Sequence, residues 1–127
     1  MEIRKGIVLA AVLTGLSGCA STPPEPILPA PTCANASECD LKWAAARAFV
    51  LSHAGFKFQT YTNDYMETFN PVGGAVELGA QVNREPQPDG TTRITAKFWC
   101  DNPFGCSPPA RQTLNDFIRT LNAVRSP

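Results

Sequence analysis

One histidine, a pair of carboxylates around a turn, and five cysteines are the residues of this 127-residue chain whose types and spacing invite chemistry. His53 follows Ser52, but a general base or a ligand needs partners, and no Gly-x-Ser-x-Gly nucleophile turn accompanies them. Asp64 and Glu67 are three positions apart, and paired carboxylates cleave glycosides when held roughly 5–9.5 Å from one another. In a hairpin such groups serve as turn and strand-surface residues. Gly73-Gly74 is too short to cradle a phosphate. Cys33-x₅-Cys39 and Cys100-x₅-Cys106 lack the tighter spacing of a zinc site and the Cys-x-x-Cys of a redox centre. The expectation is therefore a protein with no catalytic residue, no cofactor and no metal, and not an enzyme.

Charge narrows the partners. Lys plus Arg and Asp plus Glu are 11 each, so the net charge is zero. That excludes nucleic acid held by bulk positive charge, which requires clustered Lys and Arg. The chain opens with Arg4 and Lys5, then an uncharged and mostly apolar run from Gly6 to Leu16. Such a run is shorter than the roughly 20 residues that span a bilayer and fits the core of a signal peptide. It ends in Leu16-Ser17-Gly18-Cys19. This sequence resembles the lipobox of bacterial lipoproteins. The resemblance implies that residues 1–18 are a cleaved signal, that Cys19 is lipidated, and that the protein holds to a membrane without a spanning helix. Ala20 and Ser21, with no Asp after the Cys, imply the outer membrane and a periplasm-facing anchor.

Residues 19–32 read as the lipidated Cys and a Pro-rich tether, with Pro23, Pro24, Pro26, Pro29 and Pro31. Extended polyproline at ~3.1 Å per residue would place the domain up to about 40 Å from the membrane. Residues 33–127 then form one small domain. With Cys19 assigned to the anchor, four cysteines remain for an oxidising compartment, and four allow three connectivities. The repeated spacing favours Cys33–Cys39 and Cys100–Cys106, each adding about 2–2.5 kcal/mol by chain entropy.

The elements that must position these groups follow from periodicity. A helix over 40–54 begins near Ser37 or Asp40 and stops at Gly55. One of its sides carries Leu41, Ala44, Ala45, Ala48, Phe49 and Leu51, and the other Trp43, Val50 and Ala54. A helix apolar on two sides is buried twice or presents a sticky face. Alternation predicts strands over 56–61, 65–69, 75–83 and 91–100. Ser107 and Pro108 read as the cap and first residue of a last helix, with a stripe of Ala110, Leu114, Phe117, Ile118 and Leu121. The order α-β-β-β-β-α predicts the α+β class: a four-stranded antiparallel sheet with two helices on one face.

Trp43 and Ala46, Lys57-x-Gln59, Asp64, Glu67-Thr68, and Cys100-Asp101-Asn102-x-Phe104-Gly105-Cys106 carry a second resemblance, to a set of small proteobacterial lipoproteins. It implies a lipid-anchored domain and brings no activity. The element order and the turn followed by Glu-Thr also resemble, more distantly, the BamC component of the outer-membrane barrel-assembly machinery. From alternation, Trp99, Tyr61, Lys57, Lys97 and Gln59 share the open sheet face. A mixed aromatic, basic and polar surface suits recognition of protein or glycan. The expectation is a non-catalytic binding or assembly module for an envelope protein partner, acting through this face or the Trp43/Val50 side of the first helix. Binding of peptidoglycan or a small ligand is the alternative, and an envelope hydrolase using His53 or Asp64 and Glu67 a more remote one.

Overall fold

The computed structural model of the protein describes residues 15, 18, 19 and 22–125. The expected signal peptide, with Leu16 and Ser17 of the lipobox, and the sorting positions Ala20 and Ser21 fall largely outside them. In chain order the elements are β1 (Thr32–Cys33), α1 (Ala36–His53), β2 (Phe58–Tyr61), β3 (Tyr65–Thr68), β4 (Gly79–Pro86), β5 (Thr92–Trp99) and α2 (Ala110–Asn122). The strands form one antiparallel sheet in the order β1-β5-β4-β3-β2. The α+β class stands, but the sheet has five strands where periodicity predicts four. The fifth, β1, is two residues long and lies at the end of the Pro-rich stretch. Too few residues alternate there to leave a pattern.

Strand register sorts the side chains. Met66 faces Val82, and Val82 faces Ala96, so these side chains share one face with Ala80, Ile94 and Phe98. That face is covered by both helices. Phe117 of α2 meets Phe98 edge-on at 5.8 Å and Phe49 of α1 at 5.5 Å, and all three rings are buried. Perpendicular ring pairs of this kind set the negative face of one ring against the positive edge of another.

Helix α1 starts four residues earlier than expected. Asn35 caps it, its Oδ1 accepting from the Glu38 amide at 2.9 Å. Glu38 in turn accepts from the Ala34 amide, and Lys42 lies 3.1 Å from its other oxygen. The Ala34 amide first, and then Lys42, hold the Glu38 carboxyl below the usual carboxylate range. The buried stripe is Cys39, Lys42, Trp43, Ala46, Phe49 and Val50. Trp43 and Val50 are therefore core and present no sticky side, whereas Leu41 and Leu51 are exposed. The sequence is apolar most of the way round, so periodicity alone does not choose the rotation. The N-terminal turn chooses it: Cys39 is bonded to Cys33, and the Lys42 ammonium donates to the Thr32 carbonyl at 2.7 Å.

Two boundaries move. The third predicted strand slides from 75–83 to Gly79–Pro86, leaving Val76 exposed in a loop although Leu78 stays buried. Helix α2 begins at Ala110 after Pro109, which offers no side-chain cap, so Ser107 and Pro108 precede the helix. Both local disulfides are present, Cys33–Cys39 and Cys100–Cys106.

Most of the expected tether belongs to the domain. Ile94 donates its amide to the Pro31 carbonyl at 2.8 Å, which extends the β1 pairing backwards. Asn115 of α2, fully buried, accepts from the Leu28 amide and donates to the Pro26 carbonyl, both at 2.9 Å. Arg111 donates to the Glu25 carbonyl, and Arg119 pairs with the Glu25 carboxylate. Leu28 packs against the core beside Ile94, Leu114 and Ile118. The chain between Cys19 and the docked segment shortens to residues 20–24, whose full extension would reach about 20 Å in place of about 40 Å.

Candidate functional site

A side chain's neighbours depend first on the phase of its strand. Phe58 faces Thr68 and Tyr61 faces Met66, with an irregularity of register between Phe58 and Thr60. That bulge inserts one residue at Gln59 and puts both aromatic rings on the helix side of the sheet. Tyr61 therefore leaves the face predicted for it. Its ring lies 5.6 Å from that of Phe58, tilted by 47°, and the Arg47 guanidinium lies 5.3 Å from its centroid. Gln59 is exposed on edge strand β2, and Lys57 is exposed just before it. Of the five predicted face residues, Trp99 and Lys97 stay together, with the Lys97 ammonium 5.9 Å from the indole. They share a shallow outer-face depression with Glu67, Asn70 and Gln81.

Trp99 also has a structural task. It lies opposite Gly79, and a Cβ on Gly79 would sit 2.5 Å from Trp99 Cε2 and 2.9 Å from Pro71 Cδ. The indole thus covers a bare stretch of backbone that only glycine leaves open. Gly79→Ala is expected to destabilise the fold by about 1–3 kcal/mol, because the ring must be displaced. In a Trp99→Ala background the same substitution should lose most of that cost, a non-additivity that urea titration of the four proteins would read. Equal costs in both backgrounds would refute the contact.

Tyr61 opens instead into a cleft of about 640 Å³ between α1, the β2–β3 turn and the far end of β4, which Trp43, Asp40, Asn63, Asp64 and Arg84 also line. Trp43 Nε1 donates to the Thr62 carbonyl at 3.2 Å, fixing the turn to the helix. Arg84 bonds Asp40 at 2.9 Å, and its backbone amide donates to the Asp64 carbonyl at 2.8 Å. Asp64 accepts from the Thr62 hydroxyl at 2.8 Å. The cleft therefore displays an aromatic ring, a largely sequestered guanidinium, two carboxylates and an amide. Sequence reading misses Arg84, which falls between the strands predicted over 75–83 and 91–100, and Asp40, read as a helix start. Only the pairing of β4 with β3 brings Arg84 to α1.

The predicted acid–base candidates are each tied up locally. Ser52 Oγ bonds the Ala48 and Phe49 carbonyls of its own helix. His53 Nδ1 lies 2.8 Å from Ser52 Oγ and 3.0 Å from the Phe49 carbonyl, and its ring stacks on Phe49 at 3.8 Å. Among the described residues, no carboxylate bonds the imidazole. Glu67 accepts from the Tyr65 hydroxyl at 2.6 Å, which raises the Tyr65 pKa, and it belongs to the outer sheet face while Asp64 lines the cleft. The two carboxylates thus do not converge on a common space. Among the described residues no helix is long and apolar enough to cross a membrane, and no three His, Cys, Asp or Glu gather as metal ligands. No family model, no curated protein and no solved structure matches this chain, so the resemblances drawn from the sequence rest on the quoted residues alone.

Proposed function

We propose that the protein is a non-catalytic binding module, held by lipid on Cys19 to the periplasmic face of the outer membrane, that engages an envelope protein partner. The observation that carries this reading is the open cleft around Tyr61. It sets an exposed aromatic ring beside hydrogen-bonding groups on a turn that is bonded to both α1 and β4. Aromatic and Arg side chains in such a setting are the usual anchors of protein recognition. The anchor itself is supported by the lipobox residues and by the exposed position of Cys19.

The test is in-cell crosslinking of the full chain, affinity capture, and mass spectrometry of what is held. Tyr61→Ala combined with Asp64→Ala should lose the captured protein while circular dichroism stays unchanged. Capture that persists through the double substitution sinks the cleft as the docking site. A second reading, peptidoglycan or another small ligand, draws on the same cleft, where Tyr61 stands among Asn63, Asp64 and Arg84 as a sugar-binding ring stands among polar groups. Co-sedimentation with purified peptidoglycan at low salt, abolished by Tyr61→Ala, would favour it over a protein partner.

A further inference from the structure

Four of the eight large apolar side chains exposed among the described residues, including the two most exposed, lie together at one end of the molecule. Phe104 is 99% exposed, Val72 71%, Phe69 52% and Val76 50%. They lie on two loops, Phe69–Leu78 between β3 and β4 and the disulfide loop after β5, and the loops are bonded to one another. Asn102 Nδ2 donates to the Gly74 carbonyl at 2.6 Å, and the Ser107 amide donates to the Val76 carbonyl at 3.2 Å.

Phe104 is displayed by a built turn. Asn102 Oδ1 accepts from the Phe104 amide at 2.8 Å, the Asn102 carbonyl accepts from the Gly105 amide at 3.0 Å, and Cys100–Cys106 closes the base. Gly105, at φ 94°, permits the backbone that turns the ring outward. No charged residue occurs from Phe69 to Val76 or from Asn102 to Ala110, while Glu77 and Asp101 stand at the base of the tip. An exposed, uncharged apolar tip is the pattern of a surface that meets a bilayer interface, and the two carboxylates at its base mark where insertion stops.

The tether leaves the domain at this same end. Pro24 and Glu25 lie beside Pro109, Arg111 and Gln112, at the start of α2, which follows the disulfide loop directly. The docked segment holds its course along α2 through Asn115, so only residues 20–24 separate Glu25 from Cys19, a reach of at most about 20 Å. A lipid on Cys19 therefore brings this end of the domain, and not the Asp89–Gly90 turn at the far end of β5, down to the membrane.

From these observations we infer that the paired loops carrying Phe104 and Val72 form a second membrane contact, inserting into the lipid interface and setting the domain upright on its anchor. The inference rests on the lipid-anchor reading and deepens it. It leaves the Tyr61 cleft, built from α1, the β2–β3 turn and the end of β4, directed away from the bilayer.

The test uses the processed protein extracted from cells and reconstituted into vesicles of phosphatidylethanolamine and phosphatidylglycerol. An environment-sensitive fluorophore is placed at Phe104→Cys and, separately, at Asp89→Cys, with Val72→Cys as a second tip position should the disulfide loop tolerate the first poorly. On vesicles, the tip labels should shift to the blue and lose most of their emission to lipid-borne quenchers, and the label at position 89 should do neither. Solvent-like emission at positions 104 and 72 overturns the inference. The intact mass of the same preparation reports acylation of Cys19 independently, so a missing anchor and a dry tip are told apart.

Discussion

Phe117→Ala should remove about 3–5 kcal/mol of folding free energy, the usual cost of truncating a fully buried phenylalanine. Phe117 has no exposed surface and touches both Phe49 and Phe98 edge-on, so alanine there opens a void between α1, α2 and the sheet at once. A domain of about 100 residues has only some 5–15 kcal/mol to lose. Urea unfolding should therefore show a midpoint lowered by at least about a fifth and up to most of its value, with the slope nearly unchanged. Phe104→Ala is the matched control, because the same residue type at 99% exposure contributes no packing. A Phe117→Ala protein as stable as the parent would mean that the three-ring core is not what joins the helices to the sheet.

Asn115→Ala should act differently, by releasing the tether. The substitution strips partners from the Leu28 amide and the Pro26 carbonyl. Leaving a buried polar group unpaired costs about 1–3 kcal/mol. Here the strained state has an escape: residues 25–31 can lift into water, where both groups are hydrated. The loss should then appear as local opening rather than global unfolding. Amide hydrogen exchange should accelerate by an order of magnitude or more at Leu28, and at Ile94, whose amide donates to Pro31, while Val82 in the centre of the sheet changes little. Unaltered protection at Leu28 would show that packing of Leu28 and the β1 pairing hold the segment without the amide. If the segment is released, the chain between Cys19 and the domain grows from 20–24 to about 20–31, and its reach roughly doubles to about 40 Å. In a lipid-anchored protein that change would free the domain from the membrane surface without altering the anchor.

The fate of the predicted binding face has a similar local origin. The alternation of Phe56 and Phe58 with Lys57, Gln59 and Tyr61 describes the segment correctly as extended, yet Tyr61 lies on the helix side because one bulged residue reverses the phase. A bulge is set by how two strands fit and leaves no mark in the composition of either. Arg84 and Asp40, 44 residues apart, meet only after β4 has found β3 and α1 has taken its rotation.

By itself the sequence determined what depends on neighbours along the chain: the α+β class, the hairpin order, the stripe of α2, and two disulfides whose cysteines are six positions apart. Only the tertiary structure decided which side of α1 is buried, where Tyr61 points, and that the Pro-rich stretch is part of the domain. Periodicity reports that a face is apolar, but an all-round apolar helix offers several such faces, and long-range bonds choose among them. Pro26 and Leu28 are held by Asn115, 89 and 87 residues away. No local pattern in a polyproline segment can announce a partner so distant, because its extended backbone is the same whether water or a buried amide satisfies it.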